Sequence, residues 1–282
     1  MKKSIKRLVA ASVAAMAIFA AGCGSKTTPT TAPTTTPSAT APAMSASLKK
    51  IKDSGKLVLG TSADYPPFEF HASVDGKDTI VGFDIDVAKE IAKDLGVTLE
   101  IKDLKFDGLL AALDQGSVDI VIAGLSPTEE RAKSVDFSIQ YYSAEQAVVV
   151  RGADKGTFTT LESLKGKTIA AQKGTIQEDA AKAVEGATVL SLGKISDLIL
   201  ALKSNRADAA IIEVPVAESN VKENADLVIS SIVIKNEGEG KVAAVKKGSA
   251  DLVAAVNKTL ERILADGTFE KFVLEATQLS EK

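Results

Sequence analysis

The stretch of sequence that decides the fold spans residues 118–131 and reads VDIVIAGLSPTEER. Its apolar first half predicts a buried strand. Ser126 suits the N-cap of a helix, Pro127 suits the first helical position, and Glu129 stands three residues after the cap. We therefore expect a strand followed by a helix that begins at Ser126.

The predicted helix start is a candidate anion-binding site. The first N–H groups of a helix have no partner within the helix and lie at the positive end of its dipole. Arg131 adds a guanidinium group, which can bind a carboxylate through two hydrogen bonds. The alternative is a plain helix cap, with Arg131 paired to Glu130 or to solvent, and these residues alone leave both interpretations open.

Residues 1–22 predict a signal peptide. Four basic residues precede an apolar segment that is too short to span a bilayer. Small residues lie directly before Cys23, the single cysteine of the chain, and this arrangement resembles the bacterial lipobox. The resemblance implies cleavage before Cys23 and attachment of lipid to it, whereas the alternative is a plain secretory signal with an incidental free thiol.

The segment after Cys23 differs in composition from the rest of the chain. Residues 24–47 are almost entirely Thr, Pro, Ala and Ser, which cannot bury a core and predict an extended, disordered tether. Residues 48–282 are long enough for one large domain or two lobes. Without the four basic residues of the leader, 30 Lys and Arg stand against 37 Asp and Glu, a net charge of −7 that argues against a nucleic-acid partner.

The composition also bears on catalysis. The chain has no Trp, and His71 is its only histidine. A Ser-His-Asp or Cys-His catalytic set, or a metal site built on histidine, would have to use His71 or do without it. A lone histidine beside Phe70 in a predicted turn is more typical of a surface position than of a catalyst. We expect no enzymatic activity, no metal site and no cofactor.

Apolar runs and amphipathic runs alternate along the rest of the chain, which is typical of α/β proteins. Lys56–Thr61 predicts a strand, and Phe83–Leu95 predicts a helix with its apolar residues on one face. A first series of such units ends with a strand at residues 144–151, and a second series occupies residues 161–265. We expect two lobes that face each other across a cleft, because ligands of such sheets lie at the carboxyl ends of their strands.

Further residues are predicted to face this cleft. Thr175 and Ile176, after Gly174, offer backbone N–H groups at a second helix start. Glu213 ends a predicted strand, where it either receives a ligand ammonium or only favours the dipole of the next helix. Tyr65, beside two prolines, either forms an apolar wall for a ligand or only fills the top of a lobe. Together with Arg131, these groups suit a zwitterion that carries an α-carboxylate and an α-ammonium.

Taken jointly and in order, these segments resemble the extracellular solute-binding proteins, family 3, of bacterial polar amino-acid uptake transporters. The likeness covers residues 48–272. The motifs that carry it are GTSADYPPFE at 60–69, GFDIDVA at 82–88, FDGLL at 106–110, GLSPTEER at 124–131, LKGK at 164–167, GT at 174–175 and DGT at 266–268.

The resemblance implies an α/β fold, a two-lobed periplasmic-binding-protein clamshell with a hinge of two strands near residues 147–151 and 241–245. One lobe would comprise residues 48–148 and 242–282, and the other residues 149–241. The protein would be a monomer that delivers an amino acid to an ABC permease and its ATPase. It would lie in the periplasm or on the outer face of the cytoplasmic membrane, lipid-anchored at Cys23.

The resemblance also assigns a role to each group of an amino-acid ligand. Arg131 and the amide of Ser126 would hold the ligand carboxylate, and the amide of Ile176, beside Thr175, would complete the grip. The ligand ammonium would lie among the Gly124 carbonyl, the Ser126 hydroxyl and Glu213. Tyr65 and Phe106 would enclose the ligand side chain.

The chain departs from the family pattern at two positions. Glu213 is one methylene longer than the usual Asp. Ser62 stands where binders of glutamine and basic amino acids carry an Asp that meets the ligand side chain, and a serine cannot neutralise a cation. Residues that could substitute for that Asp are Asp64, Glu69, Asp107 and Gln177. We expect a polar L-amino acid, with glutamine or a basic amino acid favoured; the alternatives are a dehydratase for a prephenate-like acid and a ligand sensor for a membrane receptor.

Overall fold

The computed structural model describes residues 44–234 and 240–281. The predicted signal peptide, Cys23 and the predicted tether up to residue 43 lie outside the described residues. The fold begins earlier than predicted, because helix α1 starts at Ala46, and Ser45 caps it by accepting a hydrogen bond from the amide of Leu48. Within the described ranges, no helix combines the length and the apolarity needed to cross a membrane.

Strands and helices alternate along the described residues, as the sequence pattern predicts. The strands are β1 (Lys56–Thr61), β2 (Asp64–Tyr65), β3 (Glu69–Val74), β4 (Lys77–Val81), β5 (Thr98–Asp103), β6 (Ile120–Val121), β7 (Val135–Phe137), β8 (Gln146–Arg151), β9 (Thr168–Gln172), β10 (Thr188–Leu192), β11 (Ala209–Glu213), β12 (Leu227–Ile229) and β13 (Ala244–Lys246). The α-helices are α1 (Ala46–Ser54), α2 (Phe83–Leu95), α3 (Leu109–Asp114), α4 (Ile176–Lys182), α5 (Ile195–Lys203), α6 (Val214–Glu223), α7 (Ala250–Ala265) and α8 (Thr268–Ser280).

Two five-stranded sheets form the cores of two lobes. The first sheet has the order β5-β1-β6-β13-β7, in which β1 runs parallel to β5 and β6, and β13 runs antiparallel to β6 and β7. The second has the order β10-β9-β11-β8-β12, with β8 antiparallel to both of its neighbours. The predicted two-lobed α/β architecture is therefore confirmed.

The chain passes between the two sheets twice, once between β7 and β8 and once between β12 and β13. The two crossing segments pair with each other at an antiparallel bridge between Tyr142 and Lys241. The amide of Lys241 donates to the carbonyl of Tyr142 at 2.6 Å, and the amide of Tyr141 donates to the carbonyl of Lys241 at 2.9 Å. The crossings lie directly before β8 and β13, close to the predicted hinge positions.

The prediction of a helix that begins at Ser126 is wrong. Residues 122–130 form neither helix nor strand, and only one 3₁₀ turn, Arg131–Lys133, precedes β7. The carbonyl of Leu125 accepts a hydrogen bond from the amide of Val242, and the amide of Arg131 donates to the hydroxyl of Thr128. The backbone is thus satisfied by long-range and side-chain partners, which override the local helix propensity.

Candidate ligand-binding site

One cavity lies where β1, β6, β9 and β11 end, at the carboxyl ends of strands from both sheets. This is the place at which ligands of α/β sheets are bound. All nine residues predicted for the site line it, although their ligand contacts stay a prediction. The described residues that line the cavity are Ser62, Tyr65, Glu69, Phe106, Ala123, Gly124, Ser126, Arg131, Gln172, Thr175, Ile176, Gln177, Glu213 and Lys241.

The wall formed by the first lobe depends on a close approach of Tyr65 to Gly124. Gly124 has a φ of +53°, and a Cβ at this position would lie 3.2 Å from the Tyr65 ring. A glycine adopts this backbone conformation without strain and leaves space for the aromatic ring. The amide of Gly124 donates to the buried carboxylate of Asp84 at 2.7 Å, which fixes the backbone below the cavity.

Arg131 connects the two lobes at the edge of the cavity. Its Nη1 donates to the carbonyl of Ser126 at 2.6 Å, and its Nη2 donates to the carbonyl of Gly174 at 2.8 Å. The guanidinium carbon lies 5.5 Å from the centre of the Phe106 ring, within the range of a cation–π interaction. The sequence correctly placed Arg131 at the cleft, but a 3₁₀ turn rather than the start of an α-helix positions it.

The second lobe contributes the start of α4, which begins at Ile176 as predicted. Thr175 caps this helix: its Oγ1 accepts from the amide of Glu178 at 3.2 Å and donates to the carbonyl of Gln172 at 2.6 Å. Gly174 has a φ of +80°, and a Cβ there would lie 3.2 Å from the Cβ of Asp107 in the first lobe. The two lobes therefore approach each other closely beside the cavity.

A buried ion pair lies inside the cavity. The Nζ of Lys241 contacts Oε1 of Glu213 and donates to the hydroxyl of Ser126 at 2.8 Å. Both side chains of the pair are 1% exposed. Gln177 also donates to Oε1 of Glu213, at 3.3 Å, whereas Oε2 has no hydrogen-bond partner among the described residues. Burial raises the pKa of Glu213, and the charge of Lys241 opposes this rise.

Sequence reasoning missed Lys241 as a cavity residue. It stands at the head of the apolar run 242–245, where a lysine is typical of an exposed strand end. Its partners are 28 and 115 residues away in the sequence, so no local pattern marks it.

Two acidic side chains are buried together on the first-lobe side of the cavity. Asp84 accepts hydrogen bonds from the amide of Gly124 and, at 2.8 Å, from the hydroxyl of Tyr141. Burial nevertheless raises the pKa of Asp84 to about 6. Burial and the neighbouring Asp84 charge raise the pKa of Glu69 well above its usual value. Burial therefore shifts the pKa values of both carboxyl groups toward the protonated form.

The four residues considered as substitutes for Ser62 divide into two groups. Glu69 and Gln177 line the cavity. Asp64 and Asp107 do not: Asp64 accepts from the amide of Ile195 at 2.6 Å, and Asp107 pairs with Lys173 at 2.9 Å.

His71 lies away from the cavity. It is on the β3–β4 hairpin, where its Nδ1 contacts Asp78 at 2.9 Å, and its side chain is 44% exposed. This agrees with the surface position expected from the sequence.

Comparison of the sequence with known proteins identifies its family. The sequence pattern of the bacterial extracellular solute-binding proteins, family 3, matches residues 57–275. The arginine-binding extracellular protein ArtP of Bacillus subtilis is 43% identical over 222 residues, which cover 77% of this chain and 84% of ArtP. The L-cystine-binding protein TcyJ of Escherichia coli K12 is 35% identical over 226 residues, covering 79% and 83% of the two chains.

A solved structure extends this comparison to the fold. The amino-acid ABC transporter substrate-binding protein AbpA of Streptococcus pneumoniae, bound to L-arginine, superposes with a TM-score of 0.81 at 40% identity. The match covers 83% of this chain and 99% of AbpA. The chain belongs to family 3 of the bacterial extracellular solute-binding proteins.

Proposed function

We propose that this protein is the substrate-binding component of an ABC importer. It captures a polar L-amino acid in the cavity between its lobes and delivers it, chemically unchanged, to a membrane permease and its ATPase. The observation that carries this proposal is the presence of a guanidinium, Arg131, and a buried carboxylate, Glu213, in one cavity walled by Tyr65 and Phe106. Groups of opposite charge at one site suit the two charged ends of an amino acid.

The proposed contacts follow from these charges. The ligand carboxylate meets the guanidinium of Arg131 together with the amides of Ser126 and Ile176, beside Thr175. The ligand side chain extends between the aromatic rings of Tyr65 and Phe106, past Ser62.

The ligand ammonium meets acceptor oxygens on both lobes. These are the carbonyl of Gly124, the hydroxyl of Ser126 and the carboxylate of Glu213. Capture of the ligand from both sides stabilises the closed arrangement of the lobes.

Among polar amino acids, L-arginine is the first ligand to test. ArtP is an arginine-binding protein by name, and AbpA has L-arginine bound. Glu69 offers the buried carboxyl group that Ser62 lacks, since it lines the cavity and its oxygens have no hydrogen-bond donor among the described residues. A cationic side chain near Glu69 would favour loss of its proton. Glutamine is the next ligand in order.

The proposal extends to the organisation of the whole chain. Residues 1–22 act as a signal peptide, and Cys23 carries the lipid that holds the protein at the outer face of the cytoplasmic membrane or in the periplasm. The lobes comprise residues 48–148 with 242–282, and residues 149–241, in a monomer. Metabolic labelling with radioactive palmitate tests the anchor, because Cys23→Ser would abolish incorporation of the label.

Titration calorimetry of the mature protein against L-arginine, L-glutamine, L-histidine and L-cystine tests the function. We expect binding of at least one of them, and a loss of about 100-fold or more in affinity in Arg131→Ala, since the charged hydrogen bonds proposed for the ligand carboxylate are removed. Arg206→Ala is the matched control, because Arg206 is exposed and is not among the cavity-lining residues. Absence of binding to every amino acid, or equal binding by Arg131→Ala, would refute the proposal.

A further inference from the structure

The cavity already contains an ammonium group that belongs to the protein. The Nζ of Lys241 is held between Oε1 of Glu213 and the hydroxyl of Ser126. A carboxylate and a hydroxyl around an –NH₃⁺ group are the partners that the α-ammonium of an amino acid requires. The lysine thus shows that these oxygens form an ammonium-binding site.

The backbone of Lys241 is held firmly in place. It pairs with the other crossing segment through hydrogen bonds of 2.6 and 2.9 Å to Tyr142 and Tyr141. The whole residue is 0% exposed. The side chain can therefore withdraw from Glu213 only by a rotamer change inside the cleft, and it stays within reach of the carboxylate.

Two buried polar atoms beside the pair lack partners. Oε2 of Glu213 and Nε2 of Gln146 have no hydrogen-bond partner among the described residues, and both lie opposite each other in register on β11 and β8. Lys241 and Gln177 both contact Oε1 of Glu213, so a ligand ammonium would reach this carboxylate only beside the Lys241 charge.

We propose that Lys241 is a tethered competitor for the α-ammonium of the ligand, and so a specificity-determining residue of the binding site. This inference rests on the function proposed above. An amino acid must share Glu213 with Lys241 or displace it, and therefore gains little from its ammonium. A carboxylic acid without an α-ammonium leaves the ion pair intact. The ligand class of this site thus extends to deaminated analogues of its amino acid.

The charges in the cavity support the same inference. Arg131 and Lys241 supply two basic groups to the cavity, and Glu213 is the carboxylate that contacts Lys241. Bringing a further ammonium beside Lys241 places two like charges in a site of low dielectric, where repulsion is strong. Removing the lysine charge would leave Glu213 buried without a cation, and an uncompensated buried charge is costly. The ligand ammonium would then relieve that cost.

The test compares two ligands and two proteins by titration calorimetry. The ligands are L-arginine and its deaminated analogue, in which hydrogen replaces the α-ammonium; the proteins are wild type and Lys241→Met. In wild type we expect the two ligands to differ in affinity by less than about tenfold. In Lys241→Met we expect L-arginine to bind at least about tenfold more tightly than to wild type, with no gain for the analogue. If glutamine is the ligand, glutamine and its deaminated analogue are the two ligands compared.

Lys247→Met is the matched control, because Lys247 pairs with Asp136 at the surface. If Lys241→Met fails to fold, the inference is tested with Lys241→Gln and with the affinities of the two ligands for wild type. Weaker arginine binding by the folded variant, equal gains for both ligands, or a wild-type preference above about 100-fold for L-arginine would overturn the inference. Failure of every L-amino acid to bind either protein would overturn the proposed function as well, so the two failures are distinguishable.

Discussion

Individual residues at the cavity differ in how their buried charges are satisfied. Asp84 accepts two hydrogen bonds, from Gly124 and Tyr141, whereas Glu69 has no donor among the described residues. A buried carboxyl group without donors keeps its proton, because burial disfavours the charged form. Burial therefore favours the protonated form of Glu69 beneath the ligand site.

This pair predicts a pH dependence of stability. The pKa of Glu69 is raised well above 4.5 and that of Asp84 from 3.8 to about 6, so the folded protein binds more protons than the unfolded chain over this window. The free energy of unfolding therefore falls as pH rises from about 4 to about 6, by up to about 1.4 kcal/mol per pH unit for one group.

Substitution separates the contribution of Glu69 from that of other titrating groups. In Glu69→Gln the amide can still donate to Asp84 but does not titrate. We therefore expect a smaller fall in the free energy of unfolding over the same pH range, as measured by urea unfolding. Glu100→Gln is the control, since Glu100 is an exposed partner of Lys56, and its pH profile should follow wild type. Identical profiles for Glu69→Gln and wild type would contradict the prediction.

The nine residues predicted for the site line the cavity, whereas Lys241 was missed for a physical reason. Tyr65, Thr175 and Glu213 directly end or follow strands, so their alignment at one edge follows from chain order alone. Lys241 acquires its position only from pairing with distant residues. No local pattern can reveal such a pair, because it exists only after both lobes have formed.

At the level of secondary-structure elements, helix α5 joins the second lobe to the β2 strand of the first. Its first amide, at Ile195, donates to the carboxylate of Asp64 at 2.6 Å, and the hydroxyl of Ser62 approaches the same carboxylate at 3.3 Å. A carboxylate at a helix N-terminus is stabilised by the helix dipole as well as by the hydrogen bond. The contact crosses the cleft without lining the cavity, so it stabilises closure independently of ligand identity.

Asp64→Ala is therefore expected to release the ligand faster. Loss of one charged hydrogen bond in the closed arrangement should raise the dissociation rate by about tenfold and leave the association rate less changed. Stopped-flow fluorescence of the protein with its ligand measures both rates. Asp53→Ala, which removes an exposed partner of Lys49 on α1, should leave them unchanged. An unaltered dissociation rate in Asp64→Ala would exclude a role in closure.

The helices and strands with clear periodicity were predicted to within a few residues, as β1 and α2 show. The hairpin of β3 and β4 escaped prediction, because its polar residues lack the alternation of a half-buried strand. The prediction of a helix at Ser126 failed for the opposite reason. Its capping signal is strong, but the carbonyl of Leu125 bonds to the distant Val242 and the carbonyl of Ser126 bonds to the side chain of Arg131.

On the scale of the whole molecule, the described residues 44–234 and 240–281 belong to one compact unit. Helix α1 is integrated into it, since the amide of Ser45 donates to Asp251 at 2.7 Å and the hydroxyl of Ser249 donates to that of Ser47 at 2.8 Å. The two-lobed arrangement was predictable from the repeated alternation of strands and helices. The close approach of the two lobes could not be predicted, because it depends on contacts such as the hydrogen bond between Arg131 and Gly174.

Deletion of residues 1–43 should leave binding intact. We expect the ligand affinity and the melting temperature of the fragment 44–282 to match those of the longer protein, since the described contacts of α1 are retained. Calorimetry of both proteins measures this, and removal of residues 44–54 as well provides the contrasting variant with a lowered melting temperature. A tenfold weaker affinity of the fragment 44–282 would contradict the expectation.

The strand order of the first sheet has a consequence for biogenesis. β13 lies between β6 and β7, yet it follows the whole second sheet in the chain. During synthesis or export from the N-terminus, β6 therefore exposes an unpaired edge until β13, which begins at Ala244, has emerged. The second sheet is continuous in sequence and can complete itself first. The nascent protein must thus be kept from edge-to-edge aggregation for most of its emergence, and maturation of the binding cleft is its final folding event.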